Sequence, residues 1–457
     1  MKERETFGSR LGFILVSAGC AIGLGNVWKF PYMTGKYGGA AFVLIYLVFL
    51  VVLGLPILVS EFAVGRASRK STAKAFHELE PEGSNFHKYS YMGMIGNYVL
   101  MMFYTMVAGW TLYYGYVMAT GKLQGADSAQ ITEFFGNFQK STGTMTFWMV
   151  LAVFLAFGIC SLGLQNGVER ITKVMMLCLL GLIVVLAVHS ATLDGAVEGI
   201  KFYLIPNFEN FSWMTVVTAM GQMFYSLSIA MGILITFGSY MKKEVSIEES
   251  TKNVEIFDTA IAMMAGLMII PAVFAFSGGN PETLQAGPSL MFITIPKVFD
   301  SMGLGTGVGI LFFVLVLFAA ITSSIALTES AVSTFEDELG WERRKATVIV
   351  GIVMLLLGSL STLGYGPLAN VKIIGMQILD FFDFLTNSVM MPIAAIATCL
   401  LVSRVMGVQR IEEEVTRGGS PFRRKKIFTV MIKYLCPIFA AIILISSIAN
   451  AFGWIQM

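Results

Sequence analysis

The sequence predicts an all-α protein that crosses a lipid bilayer many times. Of its 457 residues, 56% are hydrophobic and only 13% are charged, whereas soluble domains are about 45–50% apolar and about 25% charged. The mean hydropathy is +0.74, and long stretches of the chain carry no ionisable side chain. These properties favour one transmembrane domain over residues 1–457 rather than several soluble domains.

Eleven apolar segments are long enough to form spanning helices, which need about 20 mostly apolar residues each. An odd number of spans places the two termini on opposite sides of the membrane. The predicted spans are 10–35, 39–66, 89–119, 146–162, 167–190, 212–241, 254–277, 302–336, 342–362, 370–403 and 427–453.

The distribution of Lys and Arg predicts a cytoplasmic N-terminus and a C-terminus outside. With this orientation only seven of the 31 basic residues lie outside, as the positive-inside bias requires. The basic stretch 404–433 is therefore interpreted as a cytoplasmic loop rather than a nucleic-acid or lipid-binding patch. The outside residues are Lys29, Lys36, Lys122, Lys140, Lys201, Lys297 and Lys372.

The composition also excludes several functions. The net charge of +2 gives no reason to expect a nucleic-acid partner, and the five cysteines lie in apolar runs without CxxC spacing. His77, His87 and His189 form neither an HExxH motif nor a comparable ligand cluster, so neither a metalloprotease nor a zinc site is expected. No nucleophile is paired with a base at a useful spacing, so the chain is not expected to be an enzyme.

Two apolar segments contain residues that interrupt a helix. The segment 19–31 has three glycines within seven residues, followed by Asn26 and Pro31, and each Gly costs about 1 kcal/mol relative to Ala in a helix. Glycine and hydroxyl residues also cluster in the middle of the sixth span, at 221–232. Small residues of this kind can alternatively serve close helix packing.

The paired positions of the two breaks favour a binding site. They fall in the first and sixth spans, which correspond if the chain is two repeats of five helices, about 10–190 and 212–403, followed by an extra helix at 427–453. Backbone groups freed inside a membrane must find partners. Interrupted helices at matching positions of two inverted repeats indicate a transporter site near the bilayer midplane.

These motifs resemble the neurotransmitter:sodium symporter family, in its bacterial branch of eleven-span transporters for multiple hydrophobic amino acids. The resemblance extends from about Arg4 to the last helix. It implies a leucine-transporter-like fold with unwound helices 1 and 6. It also implies sodium-coupled symport of neutral, hydrophobic L-amino acids through the bacterial inner membrane by alternating access. The residues that carry it are the segment 19–31, Tyr225-Ser-Leu-Ser228 and Ala319-Ala-Ile-Thr322-Ser323-Ser324.

The same resemblance implies two sodium sites built from oxygen ligands. The first is formed by Ala21, Asn26, Ser226 and Asp258. Asp258 stands where the family usually has Asn, and a carboxylate there supplies a counter-charge, so chloride is not expected as a cofactor. The second site is formed by Gly19, Ile22, Ala319, Thr322 and Ser323.

The substrate expected from the resemblance is a zwitterionic amino acid. Its carboxylate would meet the amides of Leu24 and Gly25. Its ammonium would face carbonyls near Ala21, Tyr225 and Ser226. A mainly apolar pocket without an ionic partner would hold the side chain. This pocket is expected to comprise Leu100, Tyr104, Tyr225, Ser228, Met231, Ser323 and Leu327.

The resemblance also implies gates on both sides of this site. Tyr104 and Tyr225 would cover the substrate from outside. The remaining gates would be an outer pair of Lys29 with Asp383 and an inner pair of Arg4 with Asp337 beside Tyr240.

The sequence departs from the family at three positions. Lys29 stands where many members have Arg, and Lys lacks the bidentate fork of Arg. Phe7 replaces a Trp, and Leu177 occupies the position of a proline in helix 5. The last difference puts an unwinding of helix 5 in doubt.

Other functions remain open at this point. A membrane sensor that binds an amino acid without moving it is one alternative, although no soluble signalling domain is visible. A proton-coupled amino-acid carrier of the same architecture is another. Neither the preferred amino acid nor the oligomeric state follows from the sequence.

Overall fold

The computed structural model describes residues 4–209, 211–278, 289–300, 305–417 and 421–455. Within these ranges the regular structure is helical, and the only β-pairing is an isolated bridge between Ile373 and Met376. Nine helices in the described ranges are long and apolar enough to cross a membrane. They are Ala40–Ser68, Phe86–Ala119, Thr142–Ser161, Leu164–Ala191, Ile247–Ser277, Gly305–Leu339, Arg343–Leu363, Ile378–Val405 and Lys425–Ala451.

The first and sixth predicted spans each consist of two helices. Arg10–Ala21 and Gly25–Lys36 are bent by 50° at their break, and counting them as one span raises the number to ten. Trp213–Ser226 and Ile233–Ser239 are separated by residues 227–232, and each is too short to cross a membrane alone. Eleven spans and two inverted repeats therefore stay predictions.

Two predicted boundaries differ from the structure because of local capping and turn geometry. The predicted span 370–403 begins only at Ile378, since Ile374 and Gly375 adopt left-handed φ angles of 53° and 76° that end any preceding helix. The predicted span 254–277 begins earlier, at Ile247, because the side chain of Ser246 accepts a hydrogen bond from the Glu249 amide.

Several short helices outside the spans were not predicted. Five of them lie at Thr72–Leu79, Ser128–Lys140, Ala196–Leu204, Leu290–Phe299 and Val408–Thr416.

The core lies where the broken helices meet two long ones. Gly305–Leu339 packs along Phe86–Ala119, and Arg10–Ala21 packs against both Gly305–Leu339 and Ile247–Ser277. Large apolar side chains on the outer helices, such as Val188, are exposed. This arrangement is what a bilayer requires, because lipid is as apolar as a leucine side chain.

Glycines bring the second half of the sixth span into backbone contact with the second span. A Cβ added at Gly65 would lie 1.9 Å from the Ile235 carbonyl oxygen, and one at Gly238 would lie 2.6 Å from the Phe62 carbonyl oxygen. A side chain at either glycine would therefore force the helices apart. The helix Ile233–Ser239 is held tightly against Ala40–Ser68.

Candidate binding site

The break in the first span places its backbone beside polar side chains. The helix Arg10–Ala21 ends at Ile22, whose ψ of 94° is extended. The Leu24 amide then donates to the Tyr104 hydroxyl at 3.4 Å. A Cβ at Gly23 would lie 2.6 Å from the Ser323 hydroxyl oxygen. Glycine is therefore required here for the close approach of the chain to its neighbours.

In the break in the sixth span, three alternate residues adopt a left-handed backbone conformation. Ser228, Ala230 and Gly232 have φ angles of 51°, 65° and 76°. A non-glycine residue in this region is strained, and such strain persists only where the surroundings hold it. The Ala230 amide donates to the buried carboxylate of Glu61 at 2.8 Å, and Thr72 Oγ1 donates to the Gly232 carbonyl at 2.8 Å.

The two breaks line a common cavity between the helices. Ten of the eleven predicted substrate residues form its wall: Ala21, Leu24, Gly25, Leu100, Tyr104, Tyr225, Ser228, Met231, Ser323 and Leu327. The eleventh, Ser226, turns toward Asp258. The wall also contains Cys20, Gly23 and Ile233, which the sequence interpretation missed. Apart from hydroxyls and backbone, the cavity is apolar.

A buried carboxylate lies next to this cavity. Asp258 is 0% exposed. It accepts hydrogen bonds from Asn26 Nδ2 at 2.7 Å and from the Ser226 hydroxyl at 2.9 Å. Tyr46, which sequence reasoning missed, donates to Asp258 Oδ2 at 3.3 Å. Its neighbours in the sequence, from Ala40 to Leu55, are all apolar and give no sign of this contact.

Among the described residues, no Lys, Arg or His forms an ion pair with Asp258. Burying an ionised carboxylate without a cationic partner is costly. A bound alkali cation would supply the missing charge. Asn26, Ser226 and Asp258 offer the oxygen ligands that such a hard cation takes, so these residues fit a sodium ion.

The second predicted ion site joins the first span to Gly305–Leu339. The Ser323 hydroxyl donates to the carbonyls of Gly19 at 3.5 Å and Cys20 at 3.3 Å. Thr322 donates to the Ala319 carbonyl at 3.2 Å. These buried oxygens also fit a cation. Ile22, the remaining predicted ligand, lies at the end of the helix Arg10–Ala21 and is buried.

A second cavity lies on the Lys29 side of the first. Leu24, Tyr104 and Tyr225 line both cavities, so the two tyrosines form the partition between them. Lys29 and Asp383 both line the second cavity but make no ion pair. Instead, Lys29 Nζ lies 4.3 Å from the centroid of the Tyr225 ring, and Asp383 accepts a hydrogen bond from Asn387 at 2.5 Å. The expected outer ion pair is therefore absent from this conformation.

The predicted inner pair belongs to a polar network. Arg4 Nη1 lies 2.8 Å from Asp337 Oδ1, and the Arg4 guanidinium stands 4.6 Å from the centroid of the Tyr240 ring. The Tyr240 hydroxyl donates to Glu329, which also binds Arg343. Glu329 and Arg343 were not among the predicted gate residues.

Two departures from the family pattern have visible consequences. Phe7 is buried with its ring edge-on to Phe13, Phe237 and Tyr240. The helix Arg170–Ala191 runs without interruption through Leu177, whose side chain is exposed.

Comparisons with known proteins agree with this architecture. A model of the sodium:neurotransmitter symporter family matches residues 4–133 and 127–454. An uncharacterised sodium-dependent transporter of Bacillus subtilis (strain 168) is 33% identical over 445 residues, which cover 97% of each chain. The sodium- and chloride-dependent GABA transporter 2 of Mus musculus is 28% identical over 465 residues, covering 90% of this chain and 75% of that protein.

A solved structure is also similar over almost the whole chain. The crystal structure of MhsT in complex with L-phenylalanine has 36% sequence identity and a TM-score of 0.89, and the match covers 97% of this chain and 100% of that one. Fold and site together define a multi-pass helical membrane transporter with broken helices. The chain belongs to the sodium:neurotransmitter symporter family. The family consists of symporters, so this protein is a transporter and not an enzyme.

Proposed function

We propose that this protein carries neutral, hydrophobic L-amino acids into a bacterial cell together with sodium, by alternating access. The observation that carries the proposal is the uncompensated carboxylate of Asp258, buried beside Asn26 and Ser226. It adjoins a cavity formed by two helix breaks. A cation at Asp258 would neutralise a buried charge and stabilise the substrate carboxylate in the same step.

The cavity suits the proposed substrate. The backbone around Leu24 and Gly25 begins the second half of the first span, and such helix starts favour a carboxylate. Leu100, Met231 and Leu327 supply an apolar end without an ionised group. Methionine adapts its shape to different partners, which suits a range of aliphatic and aromatic side chains.

Two sodium ions are proposed, one at each oxygen set. The two ions bring two positive charges, and the zwitterionic substrate adds no net charge. The Asp258 carboxylate offsets one of the two charges and so takes the place of a chloride ion, which is therefore not required. The proposed location is the bacterial inner membrane, with the N-terminus in the cytoplasm and the C-terminus outside. Membrane lipid surrounds the exposed apolar faces.

Uptake into proteoliposomes tests the proposal. Purified protein is reconstituted, and labelled L-phenylalanine and L-leucine are offered with an inward sodium gradient, with potassium instead, or with a proton gradient alone. Accumulation only with sodium is expected. The exposed variant Glu198→Gln should transport normally, and Asp258→Ala should not.

Two outcomes would overturn the proposal. Accumulation driven by the proton gradient without sodium would identify a proton-coupled carrier of the same fold. Saturable, sodium-dependent binding with no accumulation under any gradient would identify a sensor.

A further inference from the structure

Two of the three histidines converge on an acidic side chain away from the transport site. His77 and Glu80 lie in the connection between the helices Ala40–Ser68 and Phe86–Ala119, and His87 lies in the first turn of the second helix. The sequence interpretation did not predict this cluster. One ligand atom of each residue lies within 4.8 Å of those of the other two. The rings of His77 and His87 are 5.1 Å apart between centroids.

The loop holds this cluster in place without a ligand. Glu80 Oε2 accepts a hydrogen bond from the His87 amide at 2.9 Å, and Glu80 Oε1 lies 2.5 Å from His87 Nδ1. Beneath them the rings of Phe76 and Phe86 stack at an interplanar angle of 9°. Packing of Phe76 on Phe86 thus holds the two parts of the cluster together, whereas the exposed His77 makes only the ring contact with His87.

We propose that His77, Glu80 and His87 bind a divalent transition-metal ion of the Zn²⁺ type. Two imidazole nitrogens and one carboxylate oxygen are a common protein ligand set for zinc, with water in the fourth position. Tetrahedral ligands at about 2.0–2.1 Å from zinc are about 3.3 Å apart. Since the ligand atoms all lie within 4.8 Å of one another, no pair needs to approach by more than about 1.5 Å, which rotation of the exposed His77 can supply. Glu80 and His87 are already closer than a shared zinc requires and would exchange their direct contact for the ion.

Metal binding would act on the transport cycle through the short helix Thr72–Leu79. At its start, the Ser71 amide donates to Asp337 at 2.6 Å and the Thr72 hydroxyl donates to the Gly232 carbonyl. Its end carries the metal cluster. An ion there fixes this helix to the base of Phe86–Ala119 and favours the conformation in which the Arg4–Asp337 pair is intact.

Isothermal titration of the full-length, chelator-treated protein with Zn²⁺ tests the site without any substrate, so its result is independent of the proposed function. One ion per chain is expected. His77→Gln should weaken binding by at least about tenfold, because it removes a ligand that the fold does not need. His189→Gln, the matched control at the remaining histidine, should bind normally.

Cobalt spectroscopy gives a second readout. Co²⁺ should produce visible absorption bands of a tetrahedral nitrogen–oxygen site in the unmutated protein and in His189→Gln, but not in His77→Gln. Absence of Zn²⁺ binding, or binding that His77→Gln leaves unchanged, would overturn the proposal. In either case Glu80 and His87 would be an ordinary hydrogen-bonded pair beside the solvated side chain of His77.

Discussion

Asn26 and Asp258 are joined by a hydrogen bond of 2.7 Å from the Asn26 amide nitrogen to the Asp258 carboxylate, and both side chains are 0% exposed. The bond connects the break of the first span to the middle of Ile247–Ser277. The Ser226 hydroxyl joins the same group from the sixth span. Three elements that meet in one polar cluster can respond together when an ion binds there.

We expect Asn26→Ala to weaken sodium and substrate binding together, each by about tenfold. One ion touching both the cluster and the substrate carboxylate makes the two affinities reciprocally coupled, with typical factors of about 5–150. The measurement is a sodium titration at fixed labelled L-phenylalanine and the converse titration. Substrate that binds the unmutated protein equally well in potassium and in sodium would contradict the shared ion.

Asp258→Asn should lower the apparent sodium affinity or make transport respond to chloride. The substitution keeps the shape of the side chain but removes the charge that offsets a cation. Uptake is measured with gluconate replacing chloride, in both proteins. The unmutated protein should be indifferent to the exchange, and a collapse of its uptake in gluconate would show that chloride is needed after all.

Leu100→Phe should reject the bulkiest substrates first and leave the sodium dependence unchanged. Leu100 belongs to the apolar wall and lies apart from the Asp258 cluster. A mismatch of this size in an apolar pocket costs about 1–3 kcal/mol, or about 10–200-fold. Competition of unlabelled amino acids, from alanine to tryptophan, with a labelled substrate measures the order of preference by size. Met231→Ala should shift this preference in the opposite direction, towards the bulkiest substrates.

Enlarging Ser228 should also exclude large substrates, but its φ of 51° adds backbone strain to any bulky replacement. Ser228→Gly is the matched control, because glycine tolerates this conformation. It should open the pocket without loss of folding. A substrate order that changes without a trend in size would remove Ser228 and Leu100 from the side-chain pocket.

Asp337→Asn should open the Arg4 side of the protein. Removing one partner of a buried ion pair costs about 3–5 kcal/mol, and this pair is the predicted inner gate. Cys20 lines the cavity between the two helix breaks. Modification of Cys20 by a water-soluble thiol reagent, followed by mass spectrometry with a cysteine-free peptide of the chain as internal standard, should accelerate about tenfold or more. Equal rates in both proteins would mean that this pair is not a gate.

The broken helices could be predicted because their cause is local. Glycines, Asn26 and the hydroxyl residues of the sixth span are unfavourable in a helix wherever the chain lies. The wall of the cavity followed from the family resemblance, residue by residue. Ile233 was missed because it belongs to the resumed helix and has no polar signal of its own.

Long-range partners were harder to predict. Tyr46 donates to Asp258 and Ser226 across helices, and nothing in its neighbourhood of the sequence announces this contact. The Lys29 side chain could satisfy its charge on Tyr225 rather than on Asp383. A flexible lysine side chain can reach either partner, and the residues around Lys29 in the sequence do not show which one it contacts.

The backbone contact at Gly65 and Gly238 makes the two helix segments move as one body. Because neither glycine leaves room for a side chain, relative sliding of Ile233–Ser239 and Ala40–Ser68 would collide main chain with main chain. We therefore expect any change of angle between the two halves of the sixth span to fall on residues 227–232, where the helix is interrupted. A displacement at the Asp258 cluster would then reach the Arg4–Asp337 pair through Ile233–Ser239, because Arg4 also donates to the Ser239 hydroxyl.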